Sequence, residues 1–76
     1  MFVQEQEVLN SLAKYLNDVY PSFFSSKLDF AVAVNVDEKT IRRILKGEQN
    51  ISLKILCNIS AAINKTPSDV LRAINL

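Results

Sequence analysis

The most constraining feature of the sequence is the segment from Asp37 to Gly47, DEKTIRRILKG, because it carries a helix signal at each end. Asp37 is a favourable N-cap residue, since its carboxylate can accept hydrogen bonds from the first turn of a helix. Gly47 is the only glycine in the chain, and it stands where helices often end at a residue with positive φ. Between them, Ile41, Ile44 and Leu45 recur at i, i+3 and i+4, which predicts one apolar stripe on a short helix.

The polar positions of this predicted helix are mostly basic. Lys39, Arg42, Arg43 and Lys46 fall mainly off the apolar stripe, and no acidic residue lies between Lys39 and Lys46. A helix with this pattern shows solvent a positively charged face. One explanation is a solvated surface helix whose cations only keep the protein soluble, but the segment before it favours a different one.

That preceding segment, Ser26 to Asn35, predicts another short helix. Ser26 and Asp29 match a capping box, in which each residue satisfies a backbone donor of the other. Asn35 stands at the break between the two helices, and asparagine tolerates the left-handed backbone conformation well. Two short helices joined by a turn of about 3–4 residues form a helix-turn-helix, which is predicted here at about residues 26–47.

A longer helix is predicted before the helix-turn-helix. Apolar residues repeat with helical spacing from about Gln4 to Tyr20, which gives this helix one core-facing side. Pro21 ends it, because the residue before a proline is disfavoured in the helical region. In the connection that follows, Phe23 and Phe24 are expected to cover the core, and Phe24 is placed to staple the start of the next helix.

Two further helices are predicted after Gly47. Ser52 can cap a fourth helix from about Leu53 to Asn64, and Thr66 with Asp69 forms a second capping box for a fifth, from Pro67 to about Asn75. The predicted inner stripe of the fourth helix consists of Leu53, Leu56, Ile59, Ala62 and Ile63. The predicted fold class is therefore all-α, a compact five-helix single domain spanning residues 1–76.

The charges of the chain are unevenly distributed. The net charge of +1 is too small to indicate a nucleic-acid partner by itself. Residues 1–25, however, carry one cation against three acids, whereas residues 26–76 carry eight cations against five acids. Such asymmetry is compatible with one basic face.

The chain lacks residues that several classes of function require. Cys57 is the only cysteine and the chain has no histidine, which rules out an internal disulfide, a Cys/His zinc site and a histidine-based catalytic dyad. We expect Cys57 to be a small buried hydrophobe, and we expect no enzyme activity, cofactor or metal. Because no secretion signal and no long apolar stretch are present, we predict a cytoplasmic protein without a membrane anchor.

The helix from Lys27 to Val34 is apolar almost all round, which leaves two interpretations. A helix of this kind is normally buried on all sides, and here the first and last helices would cover it. Alternatively, part of it faces another protein, with Leu28 and Val32 as the contact pair.

A longer pattern of residue types at fixed spacing extends through the helix-turn-helix and the segment after it. Its positions are occupied by Ser26, Phe30 and Ala31, Asn35 to Asp37, Thr40 and Ile41, Ile44 and Leu45, Gly47, and Ile51 to Leu53. This order resembles the lambda-repressor-like helix-turn-helix family, the Cro and repressor type of DNA-binding domain, over roughly residues 26–71. Asn35, Leu45 and Ile51 stand where that family usually has glycine, glutamate and proline.

The resemblance implies that residues 38–46 form a recognition helix in the major groove of DNA. Lys39 and Arg43 lie one turn apart on the same side, and arginine to guanine O6 and N7 is the commonest specific contact. Glu38 matches another contact position and can accept from cytosine N4, although it can equally favour the positive end of the helix. The expected contacts to the DNA backbone are Ser26, Lys27, Thr40, Lys46, Gln49, Asn50 and Lys54.

The partner expected from the resemblance is double-stranded DNA, bound by a homodimer on a pseudo-palindrome with half-sites about 34 Å apart. Candidates for the dimer contacts are Val70, Ile74 and Leu76, with Phe2 and Val3 as a second choice. The favoured function is a prokaryotic or phage transcriptional regulator that acts as a repressor. The alternative is a protein-interaction module of the same fold, such as an antitoxin or an anti-repressor, which would bind its partner through Leu28 and Val32 or through the C-terminus.

Overall fold

The computed structural model describes residues 4–74, and within them it contains five α-helices, one short 3₁₀ helix and no strand. The helices are α1 (Glu5–Val19), α2 (Lys27–Val34), α3 (Glu38–Leu45), α4 (Leu53–Ala62) and α5 (Pro67–Ala73), with the 3₁₀ helix Tyr20–Ser22 directly after α1. The predicted all-α fold is confirmed. None of the helices in this part of the chain is long and apolar enough to span a membrane.

Helices α2 to α5 are each preceded by an N-cap residue whose side chain caps the helix. The N-cap side chain accepts a hydrogen bond from the backbone N–H three residues later, and the four N-caps are Ser26, Asp37, Ser52 and Thr66. The capping box of Thr66 and Asp69 is confirmed. For the capping box predicted at Ser26 and Asp29, only the hydrogen bond to the Ser26 side chain is formed. The predicted hydrogen bond to the Asp29 side chain is wrong, because its carboxylate accepts from the hydroxyl of Ser25 at 2.6 Å instead.

Helices α2, α3 and α4 end in the same kind of turn. Asn35, Gly47 and Asn64 have φ angles of 66°, 72° and 59°. In each case the next backbone N–H returns to the carbonyl five residues earlier, at 3.0, 2.9 and 2.8 Å. This is the Schellman motif, which satisfies carbonyls that a helix end leaves unpaired. The sequence prediction placed Asn64 inside α4; its left-handed backbone explains why α4 ends at Ala62.

Phe30 lies at the centre of the core and is completely buried. Its ring stacks on Tyr20 and on Phe24, with centroids 5.4 and 5.3 Å away. Phe24 therefore staples the start of α2 as predicted. Phe23 does not cover the core, because it remains 47% exposed. The other fully or nearly buried apolar residues are Leu12, Ala13, Leu16, Ala31, Val34, Ile41, Ile44, Leu45, Ile59, Ile63 and Val70.

The outward face of α4 differs from the prediction. Leu53 is 79% exposed, and Cys57 is also exposed. At 100° per residue, Leu53 lies about a quarter turn from the centre of the stripe formed by Leu56, Ile59 and Ile63, and Cys57 follows it on the same outward side. The expected burial of both residues is therefore wrong.

Candidate nucleic-acid interface

The candidate interface is built on α2 and α3, which pack against each other and are joined by residues 35–37. The turn is fixed by the left-handed backbone of Asn35. Helix α4 packs against α2 and also holds its end, since the side-chain amide of Asn58 donates to the carbonyl of Val34 at 3.2 Å. Helix α4 thus holds α2 in place within the helix-turn-helix.

Helix α3 has one buried and one charged face. Ile41, Ile44 and Leu45 are buried in the core. Lys39, Arg43 and Lys46 are exposed, and their spacing of four and three residues places them together on the opposite side. We call these three residues the cationic stripe. It presents a row of positive charge on a helix whose inner side is fixed by core packing.

Glu38 and Arg42 form an ion pair on the flank of α3. Arg42 Nη2 donates to Glu38 Oε2 at 2.9 Å, and both side chains remain partly exposed. Within residues 4–74 this is the only ion pair. Because the only acidic residue of α3, Glu38, is paired with Arg42, it does not pair with a residue of the cationic stripe.

Helix α1 holds the C-terminal end of α3 through two polar side chains. The amide of Asn17 donates to the carbonyl of Leu45 at 2.7 Å, and the amide of Gln6 donates to the carbonyl of Gly47 at 2.8 Å. These carbonyls lie at a helix end, where the helix itself supplies no donor. Gly47 packs closely here, because a Cβ added to it would lie 2.7 Å from Asn10 Oδ1. Sequence analysis identified neither Gln6 nor Asn17.

The N-cap of α3 lies beside the cationic stripe. The backbone N–H of Thr40 donates to Asp37 Oδ1 at 2.7 Å. The pKa of Asp37 is lowered below its usual range by hydrogen bonding with the side chain of Thr40 and then with its backbone N–H, and the positive charges of Lys39 and Arg43 add to the effect. Asp37 therefore stabilises the start of α3 mainly when it is ionised.

We expect the Asp37→Asn variant to have a lower melting temperature than the wild type at neutral pH, and this difference to vanish in acid. Asparagine is also a good N-cap but carries no charge. Because the pKa of Asp37 is lowered from 3.8 on folding, its contribution is present above the pKa of the unfolded chain and is lost as the pH falls below it through the folded value. Melting curves followed by circular dichroism over this range measure the difference. A constant difference at every pH would contradict the assignment.

Of the residues predicted to contact the DNA backbone, Lys46 belongs to the cationic stripe, and the others precede it, lie within it or follow it in the chain. Ser26 and Lys27 form the start of α2, with Ser26 exposed and Lys27 half-buried. Thr40 is half-buried on α3. The three residues that follow the stripe are Gln49, which is half-buried, and Asn50 and Lys54, which are exposed.

The predicted protein contacts are in very different positions. Leu28 and Val32 are 53% and 71% exposed on α2, so the first and last helices do not cover them. Val70 is completely buried, and its side chain therefore has no surface to offer a second copy. Ile74 is half-buried. Three other candidates, Leu76, Phe2 and Val3, lie outside the described residues.

A model of the helix-turn-helix family matches residues 26–70, which is more than half of the chain and extends from the N-cap of α2 into α5. The chain belongs to the lambda-repressor-like helix-turn-helix family. The family binds DNA and regulates transcription, and it is not a family of enzymes. No match was found among curated proteins or among solved structures.

In the helix-turn-helix family the two helices of the motif have different roles. In this architecture the second helix of the motif enters the major groove while the first crosses the DNA backbone. Those positions correspond to α3 and α2 in this chain. The general function is therefore DNA-binding transcription regulation.

Proposed function

We propose that this helix-turn-helix protein is a transcriptional repressor of a bacterium or phage, which binds a pseudo-palindromic operator as a dimer. The cationic stripe carries the proposal. Three cations project from α3 opposite its buried face, and the acid of that helix is paired with Arg42. A helix of this kind can approach the negatively charged major groove with little change in its own structure. Occupying a promoter in this way blocks its use.

Lys39 and Arg43 are the proposed contacts to base edges. Both are exposed and lie one turn apart, towards the N-terminal and central part of α3. The planar guanidinium of Arg43 can donate two hydrogen bonds to one guanine. Glu38 is a third candidate, for a cytosine amino group, and it would then share its carboxylate between the base and Arg42.

The proposed backbone contacts position α3 in the groove. The start of α2, with Ser26 and Lys27, supplies backbone N–H groups, a helix dipole and a positive charge for one phosphate. Phosphates on the other side would meet the remaining predicted contacts, which are Thr40, Lys46, Gln49, Asn50 and Lys54. Contacts of this type fix orientation without carrying sequence information. Because one domain contacts few bases, two copies are needed for a specific site.

Fluorescence anisotropy with a duplex from the region upstream of the protein's own gene tests this function. We expect the wild type to prefer this duplex over a shuffled one of equal composition. The affinity should also fall steeply as the salt concentration rises, because the basic side chains of the protein displace counterions from several phosphates. Absence of any preference, even at low salt, would contradict sequence-specific regulation.

The exposed pair of Leu28 and Val32 favours a second candidate function, that of a protein-interaction module such as an antitoxin or an anti-repressor. The two side chains are four residues apart and both are more than half exposed on α2. A contiguous exposed apolar surface is a place where another protein can bind. Lack of sequence preference in the anisotropy experiment would favour this function.

A further inference from the structure

Lys46 is the one residue of the cationic stripe that lies outside α3. The helix ends at Leu45, and Lys46 is its C-cap residue. Lys39 and Arg43 lie within the helix, whereas the residues at a helix end have fewer intrahelical hydrogen bonds and fray easily. A contact of Lys46 with a phosphate is favoured when the backbone beneath it is held in one position, because less conformational freedom is then lost on binding.

Two amide side chains of α1 bind the backbone on either side of Lys46. The amide nitrogen of Asn17 donates to the carbonyl of Leu45, directly before Lys46, at 2.7 Å. The amide nitrogen of Gln6 donates to the carbonyl of Gly47, directly after Lys46, at 2.8 Å. Gln6 and Asn17 are about three turns of α1 apart, so that both lie on the same side of that helix. The backbone of Lys46 is thus held from both directions.

Both amide groups are also fixed on α1 itself. The nitrogen of Asn17 donates a second hydrogen bond to the carbonyl of Ala13 at 2.8 Å. The nitrogen of Gln6 donates a second one to Oδ1 of Asn10 at 2.9 Å. A side-chain amide has two N–H donors, and here one of them binds within α1 while the other binds the end of α3. Because both donors are used, each amide links the two helices in one orientation.

We propose that Gln6 and Asn17 are positioning residues for DNA binding, which hold Lys46 in the direction from which it contacts a phosphate. Both act through carbonyls of the backbone, so neither side chain has to touch the DNA. The inference rests on the proposed function, in which Lys46 contacts a phosphate, and it adds the two residues that hold this contact in place.

The salt dependence of DNA binding tests the positioning. The logarithm of the affinity falls linearly with the logarithm of the salt concentration, and the steepness of this line, which we call the salt slope, increases with the number of phosphates neutralised. We expect Lys46→Ala to reduce the salt slope by about 1, because one phosphate contact is lost. The double variant Gln6→Ala/Asn17→Ala should reduce it by a comparable amount, although it removes no charge. Fluorescence anisotropy over a range of salt concentrations measures the slopes.

A combined variant shows whether this effect passes through Lys46. In the background of Gln6→Ala/Asn17→Ala, the further change Lys46→Ala should alter the salt slope little, because residues that act as a unit have non-additive effects. The single variants Gln6→Ala and Asn17→Ala each remove one of the two holding contacts and should give smaller reductions. They carry the test if circular dichroism shows that the double variant is unfolded at the temperature of the measurement.

Asn58→Ala is the matched control. Asn58 also donates its side-chain amide to a carbonyl at a helix end, that of Val34 in α2, so its truncation removes the same kind of hydrogen bond away from Lys46. It should lower the urea midpoint but keep the wild-type salt slope and the full effect of Lys46→Ala. An equal reduction of the slope by Asn58→Ala would mean that the amides of α1 only stabilise the fold. The proposal would also be overturned by a full effect of Lys46→Ala in the double-variant background, or by none in the wild type.

These outcomes are separable from failure of the proposed function. Contacts to phosphates carry no sequence information, so the salt slopes can be compared on the shuffled duplex as well as on the upstream one. Reduced slopes for the α1 variants, together with equal wild-type affinities for the two duplexes, would support the positioning and contradict the repressor. Sequence preference with unchanged slopes would support the repressor and overturn the positioning.

Discussion

The Arg43→Ala variant is expected to bind the preferred duplex about 5- to 150-fold more weakly than the wild type, which corresponds to about 1–3 kcal/mol. Arg43 is exposed on the cationic stripe, and the buried face of α3 fixes the direction in which it points. Truncation would remove two hydrogen bonds to one base and leave that base edge unpaired. The loss should be larger on the preferred duplex than on the shuffled one.

Arg42→Ala is the matched control for this experiment. Arg42 is the adjacent arginine on the same helix, but it lies on the flank and pairs with Glu38. Its truncation removes the same charge and releases the carboxylate of Glu38, but no contact of an arginine to a base is lost, so the affinities for both duplexes should fall to a similar and smaller extent. Competition anisotropy at one fixed salt concentration measures the affinities of the wild type and of both variants for the two duplexes. If the two variants lose the same affinity on both duplexes, Arg43 does not contact a base.

The helix starts could be predicted from sequence because capping is a local interaction. Ser26, Asp37, Ser52 and Thr66 each need only a backbone N–H three residues away, and all four positions were identified. Asn35 and Gly47 could be predicted as helix ends for the same reason. The end of α4 was predicted two residues too late, at Asn64: Thr66 and Pro67 limit the helix from the other side, but asparagine is also compatible with a helix interior, so its left-handed backbone was not predicted.

The contacts that hold the end of α3 could not be predicted in this way. Gln6 and Asn17 bind carbonyls 41 and 28 residues further along the chain. In the sequence they are two ordinary polar residues at the edge of the apolar stripe of an amphipathic helix. Only the packing of α1 against α3 brings them to the end of α3, where carbonyls lack donors.

The exposed apolar residues mark another limit of sequence patterns. Leu53 and Cys57 were expected inside because of their type, and Leu28 and Val32 were left open between burial and a partner. Hydrophobic side chains also occupy protein surfaces, so residue type alone does not determine burial. The cationic stripe was easier to predict, because charged residues are rarely buried and helical spacing then fixes their common side.

Phe30→Ala is expected to lower the free energy of unfolding by about 3–5 kcal/mol, because it removes a large buried ring and leaves a cavity. Phe30 is completely buried and stacks on two aromatic rings, one before α2 and one in the 3₁₀ helix. Globular proteins have only about 0.05–0.15 kcal/mol of stability per residue, so a chain of 76 residues would lose a large share of its total. Urea unfolding followed by circular dichroism measures the change.

Phe23→Ala is the control, because it removes the same ring from a side chain that is 47% exposed. Its loss should be clearly smaller, since a partly exposed ring leaves no closed cavity. Both variants should show a lower urea midpoint with an unchanged slope, as expected for loss of stability in a two-state domain. Because α2 is held in place through Phe30, DNA binding by Phe30→Ala should recover on cooling towards its temperature of maximum stability. Equal losses for the two variants would mean that Phe30 is not the centre of the core on which the helix-turn-helix is built.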